Sequence, residues 1–404
     1  MSNILNSATP FLMMPILTRF LSTSDYGLIA TFQVLAGFVA PFTGLTIHGA
    51  IARKFYDKGE NFPRYVGNCL CILFGTSLVV GGVFWVGADA LGQLAAFPKE
   101  WLWAVLVISV GQFLVQVTLT VLQVQNKAVQ YGICQNIQTL CNLSLSIWFV
   151  VYLGMNWQGR IQAQIIAMIV VGIAGIVVLW ARRNIVFRFD WEDISSAVRF
   201  GVPLIPHAFG GWVMAASDRL FINKMVGVGE TGIYSVAVQL AMVVSLIEVS
   251  FNTAWVPWLY DKLREDNPAT KVKIVKLIYG YVICIFAFSI LFALLGPGFL
   301  DFFVGKDFRG AAPFIFWLVI AKALEAMYYM TCNFIFYSTK TIFMAIAIFL
   351  SSTVHVIAVY SLIKLNGTIG AAQATVISSL VLVALVWWFA AKLHKMPWLL
   401  GWSR

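Results

Sequence analysis

The feature that most constrains this chain is a succession of apolar stretches, each about 20 residues long, joined by short charged connections. A hydrocarbon layer about 30 Å thick is crossed by about 20 residues of α-helix, and within it backbone N–H and C=O groups find partners only inside the segment. The stretches therefore read as spanning helices at 3–21, 26–51, 65–88, 101–124, 131–153, 161–181, 200–226, 229–256, 274–298, 311–337, 341–364 and 367–391. A single water-soluble core is excluded, because 60% of the 404 residues are hydrophobic and 11% charged, against roughly 25% charged in soluble domains. The expected fold class is an all-α polytopic membrane protein with twelve transmembrane helices.

The segment from Met1 to Leu21 lacks the basic stretch and small-residue cleavage site of a secretory signal, so it reads as a first span that stays in place. Twelve spans put both termini on one side. Eighteen of the 27 Lys and Arg residues fall on that side, seven fall on the other, and Arg219 and Lys322 lie within spans. Basic residues accumulate on the cytoplasmic side, so both termini are expected in the cytoplasm. The net charge of +10 is thereby explained by membrane orientation: no Lys/Arg-rich run suggests nucleic acid as a partner. The six cysteines all sit in apolar runs without a CxxC pair, and no His/Cys cluster has metal-ligand spacing, so buried thiols and no metal or cofactor are expected.

The chain repeats itself weakly. Arg19, Asp25 and Gly27 match Lys224, Glu230 and Gly232 at a constant offset of 205 residues, and Tyr56-Asp57-Lys58 recurs as Tyr260-Asp261-Lys262. Six spans separate the copies, an even number, so the halves share one orientation and are expected to be related by an axis along the membrane normal. The mixed-charge 182–199 connection is the boundary, giving halves 1–190 and 191–404.

Ionisable side chains inside spans are expensive and mark cavities or interhelical pairs. Asp218 and Arg219 lie about 10–12 Å from the outer end of the seventh span, counting 1.5 Å per residue, with Arg19 in the same layer. Adjacent on a helix, Asp218 and Arg219 point about 100° apart, so they do not serve one direction. Lys322, Glu325 and His355 come out near the midplane, and His48 and Glu248 in the cytoplasmic half. Lys322 and Glu325 are three apart and touch along one face; they are read either as a self-neutralising structural pair or as a lining of the transport path. Pro203, Pro206, Gly210 and Gly211 should bend the seventh span, on which His207 and Asp218 share a stripe. His48, His207, Glu248 and His355 are candidates for proton coupling, with packing as the alternative for lone histidines. The sequence contains no GxSxG, HExxH or phosphate-cradling GxxxxGK[ST], so no enzyme chemistry is indicated.

The stretch PILTRFLSTSDYGLIATFQVLAGFVAPFTGLTIHGAIARKFYDK resembles the Wzx-like O-antigen and polysaccharide flippases, a branch of the multidrug/oligosaccharidyl-lipid/polysaccharide exporter superfamily. SDRLFINKMVGVGETGIYSVAVQL is similar to the family's Asp-Arg and Gly-Ile-Tyr segment, and FFVGKDFRGAAPFI to its outer loop before the tenth span. Polar Asn3, Asn6 and Ser7 stand where the family has a longer, basic approach to the first span. The resemblance implies two six-helix bundles around a central cavity in the bacterial inner membrane. It also implies an undecaprenyl-diphosphate-linked oligosaccharide substrate flipped to the periplasmic leaflet, membrane lipids as surroundings, and a polysaccharide polymerase and chain-length regulator as partners. In such a cavity Arg19, Arg219 and Lys322, with Asp218 and Glu325 among them, would hold diphosphate or acidic sugars. The rival readings are an exporter of drugs or of another lipid-linked precursor, and a polytopic glycan polymerase or acyltransferase; the last is expected to need a large outer loop, and the outer loops here are short.

The charge asymmetry makes a topological prediction: reporters fused after residue 190, in the 53–65 or 257–273 connections, or at the C-terminus report cytoplasmic activity, and periplasmic activity after residue 190 refutes the twelve-span arrangement.

Overall fold

The computed structural model describes residues 2–57 and 61–398, without the side chains of residues 2–8, His207 and Asp301. Lys58 and Arg404, counted above among the cytoplasmic cations, and the side chains of Asn3, Asn6 and Ser7 lie outside the described residues. The described chain is 88% helical and has no strands. Its α-helices are α1 (Ser2–Phe20), α2 (Thr23–Val39), α3 (His48–Tyr56), α4 (Phe62–Ala95), α5 (Leu102–Val124), α6 (Ala128–Ile147) and α7 (Asn156–Ala181), then α8 (Trp191–Gly201), α9 (Ile205–Met225), α10 (Val228–Arg264), α11 (Pro268–Phe303), α12 (Ala312–Tyr337), α13 (Ile342–Asn366) and α14 (Thr368–Leu393).

Eight helical segments among the described residues are long and apolar enough to cross a membrane: Phe62–Ala95, Lys99–Val124, Asn156–Ala181, Val228–Arg264, Pro268–Leu300, Lys306–Tyr337, Ile342–Asn366 and Thr368–Leu393. Their outward faces stay apolar. Trp85 and Val86 on α4 are 86% and 93% exposed and Leu294 on α11 is 73% exposed, a surface that water would not tolerate over such lengths.

The second expected span, 26–51, is not one helix. α2 stops at Val39 and α3 begins at His48. Between them Leu45 and Thr46 adopt φ of 50° and 52°, and Gly44 lies where a Cβ would stand 2.1 Å from the Phe113 ring. The Thr46 hydroxyl donates to Gly201 O at 3.0 Å, fixing the turn. Apolar composition had hidden the break, because the turn residues are themselves apolar or small. The fifth span likewise ends in a π turn at Trp148–Tyr152, the single wide turn that helices use where an extra residue is accommodated.

Contacts divide the chain into two compact units, Met1–Trp212 with Gly227–Gly232, and Val213–Val226 with Ile233–Arg404. In the first, Phe62, Tyr65, Val66 and Cys69 of α4 bury against Val117 and Val121 of α5, Leu179 of α7 and Ala197 of α8. Residues 191–212, assigned from the sequence to the second half, pack within this first unit. α8 is held there by Arg64, which pairs with Asp190 and Asp193 at 2.8 Å each. The Trp212 indole donates to Val34 O at 2.9 Å. In the second unit, Trp255, Leu259 and Leu263 of α10 pack with Ile274 and Ile278 of α11, Phe334 of α12 and Phe389 of α14. Its α10–α11 connection is staked by charge and cap: Asn267 accepts from Ala269 N–H, and Lys271 beside Asp266 holds that carboxyl below its ordinary range.

The 205-residue repeat has a structural counterpart. α2 and α10 begin at Thr23 and Val228, one offset apart. A Cβ on Gly27 would lie 1.9 Å from Val228 O, and a Cβ on Gly232 would lie 2.0 Å from Thr23 O. Each contact maps onto the other under the repeat, so the two glycines let two backbones cross reciprocally at van der Waals distance. A methyl group at either position collides with backbone and not with a yielding side chain. Gly27→Ala and Gly232→Ala are each expected to destabilise the protein by about 1–3 kcal/mol, with a double variant less than additive because both act on one crossing. Thermal unfolding in detergent measures this. Gly82→Ala, where a Cβ meets nothing within 4 Å, serves as the neutral control.

Candidate functional site

Two clusters of the expected intramembrane groups form in the second unit. The first joins four helices. Asp218 on α9 is buried, and its Oδ2 accepts from the Tyr234 hydroxyl of α10 at 2.5 Å. Its Oδ1 accepts from the Arg219 N–H at 2.8 Å. Tyr234, fully buried, also bonds Thr375 of α14 and meets Phe314 edge-on at 5.7 Å. Ser378, one turn beyond Thr375, lies 3.0 Å from His355 Nδ1 of α13, and His355 is within electrostatic reach of Asp218. His355 is wholly buried, and its Nε2 has no partner among the described residues. Asp218 is bonded to Tyr234, and Arg219, half-buried and within electrostatic reach of the same tyrosine, keeps a buried Nε without a described partner.

The second cluster lies on α10, α11 and α12. Lys322 and Glu325 form an ion pair on one face of α12, with side chains 26% and 37% exposed. Glu248 of α10 is 1% exposed, feels both members of that pair, and has an Oε2 with no described partner. Four residues along α10, Asn252 accepts from Asn333 Nδ2 of α12 at 2.9 Å, which keeps the two helices in register beside the carboxylates. Tyr281, Tyr328 and Tyr329 surround the group electrostatically. Phe251 stacks on Tyr281 with centroids 4.2 Å apart, and Trp255 and Trp258 extend the aromatic wall. Three ionisable side chains thus stand beside a packed group of aromatic rings.

The remaining expected residues lie in the first unit or at the division. Arg19 is exposed in the last turn of α1. His48 is half-buried at the first residue of α3, so it stands at a helix start and not inside a span. His207 lies on α9, with its side chain outside the described set. Pro203 falls in a 3-10 turn, Val202–Leu204, and Pro206 in the first turn of α9. Their missing N–H groups cost little there, because early helical N–H groups have no intrahelical acceptor. Both prolines thus lie before α9 or in its first turn, not in its interior. Gly210 and Gly211 immediately precede the division at Trp212–Val213, and a Cβ on Gly211 would meet nothing within 4 Å.

Sequence reasoning missed Arg160. Assigned to an outer loop, it is buried in α7 and its Nη1 donates to Asn142 Oδ1 and Ser146 Oγ of α6, both at 2.6 Å. The signal was available: Asn142 and Ser146 are four apart in an apolar helix and face one side. The tyrosines around Glu248 had no such signal, since tyrosines at helical spacing are equally common in packing.

Residues 1–262 match the family described as "Polysaccharide biosynthesis protein". The chain belongs to this family. Two relatives from Haemophilus influenzae support a full-length relationship. An "Uncharacterized membrane protein" is 27% identical, covering 82% of this chain and 80% of its own, and "Lsg locus putative protein 1" is 24% identical, covering 96% and 94%. In fold, this polysaccharide biosynthesis family member is similar to a "Lipid II flippase MurJ, inward closed conformation", at TM-score 0.75, 15% identity, 97% of this chain and 86% of that one. It is also similar to a multidrug resistance MATE family transporter of the MOP superfamily in an inward-facing conformation, at TM-score 0.74, 15% identity, 97% and 94%. The protein is therefore a multi-pass membrane protein with a transporter fold of two bundles.

The Asp218–Tyr234 contact is testable by itself. Tyr234→Phe removes the hydroxyl and leaves a buried carboxylate oxygen without its donor, which is expected to cost about 1–3 kcal/mol. A thermal unfolding midpoint in detergent equal to that of the unaltered protein contradicts this role for the hydroxyl.

Proposed function

We propose that this family member is a flippase that moves undecaprenyl-diphosphate-linked oligosaccharide units from the cytoplasmic to the periplasmic leaflet of the bacterial inner membrane, by alternating access, for O-antigen or other surface polysaccharide assembly. The observation that carries this reading is the family match over residues 1–262 on a flippase-like fold. The chemistry is consistent with it. An isoprenoid tail stays in lipid, and a diphosphate needs cations that are not already neutralised. Arg219 fits best, because its immediate neighbour Asp218 is committed to Tyr234 and its Nε has no described partner. Arg19 and Lys322 are the further cations of this reading, Lys322 being released to the ligand only when its pair with Glu325 opens, and Asp218 and Glu325 are the carboxylates beside them.

On the same reading the two compact units alternate, with Gly210 and Gly211, which immediately precede the division at Trp212–Val213, and the earlier Pro203 and Pro206 as the hinge. Glu248 and His355 are proposed coupling groups, since each keeps a buried polar atom without a described partner; His48 and His207 are the secondary candidates. Polymerase and chain-length regulator act after the flipped unit has arrived.

Loss of the protein is expected to leave single lipid-linked units facing the cytoplasm; units accumulating on the periplasmic side point instead to a polymerase. Arg219→Lys keeps charge but loses the planar fork that suits phosphate oxygens, so it retains partial transport, whereas Arg219→Gln retains little. Both are read in vesicles reconstituted with defined lipid-linked sugars, at matched membrane levels. Wild-type transport by Arg219→Gln removes the cation from the mechanism.

A further inference from the structure

A cavity of about 620 Å³ lies in the first unit, apart from both charged clusters, lined by Arg53, Trp191, Glu192, Ser195, Ser196, Arg199, Phe200 and Pro203. It is polar, open and bounded by a firmly held wall. The segment leading into α8 is clasped by Asn68, whose Nδ2 donates to Arg188 O at 3.1 Å and whose Oδ1 accepts from Asp190 N–H at 3.2 Å. Asp190 also caps α8, accepting from the Glu192 and Asp193 N–H groups. Val186 N–H donates to Pro63 O at 3.0 Å, and Gly67 sits where a Cβ would lie 2.2 Å from Val186 O. With the Arg64 pairs to Asp190 and Asp193 added, α8 has little freedom to close the cavity. The tyrosine beneath, Tyr65, is buried and bonds Ser196.

Beside this wall runs a row of outward aromatics. Phe187, Phe189 and Trp191 alternate along the approach to α8 and are 61%, 70% and 70% exposed. Aromatic rings left on the surface of a polytopic membrane protein next to arginines belong at the head-group level of the bilayer. A cavity beside such a row would open at the level of lipid phosphate groups. Its two arginines and one glutamate sum to a formal charge of +1, and the exposed, loose pair of Arg53 with Asp57 at 3.8 Å is one that a phosphodiester can displace. Ser195, and Ser196 where its hydroxyl is not turned to Tyr65, add neutral donors, and Trp191 offers a face to the glycerol or the upper acyl chain.

From this we infer that the α8 cavity is a binding site for the phosphodiester head group of an anionic glycerophospholipid, a site separate from the proposed path of the transported unit. Arg53 and Arg199 hold the phosphate, Glu192 limits the charge the site accepts, and the Phe187–Trp191 row seats the lipid at the surface.

The test is titration of delipidated, full-length protein in detergent with short-chain phosphatidylglycerol, read by native mass spectrometry. Removing both charge-assisted contacts in Arg53→Gln/Arg199→Gln is expected to weaken binding by about tenfold or more. Arg182→Gln/Arg183→Gln, which removes equal charge from residues that do not line the cavity, is expected to change it less than about twofold. Glu192→Gln is expected to tighten binding by about threefold, because one like charge is removed. Phosphatidylethanolamine of the same chain length binds more weakly than phosphatidylglycerol, and glycerol 3-phosphate at millimolar concentration does not compete. Unchanged binding in Arg53→Gln/Arg199→Gln overturns the site, and competition by glycerol 3-phosphate overturns the lipid assignment in favour of a soluble phosphate. If the double variant does not fold, Glu192→Gln decides: weaker or unchanged binding overturns the proposal.

Discussion

Everything in this protein depends on the fact that hydrocarbon offers no hydrogen bonds. Backbone polar groups must be paired inside each crossing, which makes the chain helical, and small polar side chains follow the same rule by bonding back along their own helix. Thr31 donates to Gly27 O, Ser109 to Val105 O, Thr118 to Leu114 O and Ser352 to Ile348 O, each four residues earlier. Such bonds give each hydroxyl an acceptor within its own helix. Side chains that break the rule are consequently informative.

Charged groups meet the constraint in three ways. Arg160 is buried and its Nη1 has two neutral oxygen acceptors that brace α6 to α7, although its Nε has no described partner. Lys322 and Glu325 neutralise each other on one helix, half in contact with solvent, where an ion pair is worth little to stability. Arg219, Glu248 and His355 each keep a polar atom buried without a described partner. A buried group left open in a stable fold has a cost that packing alone does not explain, and the cost is recovered when a ligand, ion or water arrives.

The reciprocal Gly27 and Gly232 crossing and the cavity beside α8 serve different needs of the same fold. The crossing brings two helix starts to backbone contact, so that position is fixed by excluded volume and not by attraction. α8 is not among the long apolar helices and is held by ion pairs and the Asn68 amide. The first unit thus has a sterically fixed edge and an electrostatically fixed one.

The sequence by itself determined the all-helical class, the positions of most crossings, the charge asymmetry, and a repeat whose 205-residue offset reappears in the starts of α2 and α10. These are properties of single segments, set by length and composition. It also marked Asp218, Arg219, Lys322, Glu325, Glu248 and His355, because a charge in an apolar run is conspicuous. Only the tertiary structure decided that Tyr234 takes Asp218, that Glu248 looks onto Lys322 and Glu325 among tyrosines, that Arg160 is buried, that the second crossing breaks after Val39, and that residues 191–212 pack with the first unit. The reason is physical. In a soluble helix the polar face reveals which side meets the core, but here lipid and core are both apolar, so the sequence pattern does not say which way a helix is rotated. Rotation is chosen by the neighbours, and the neighbours exist only in the folded protein.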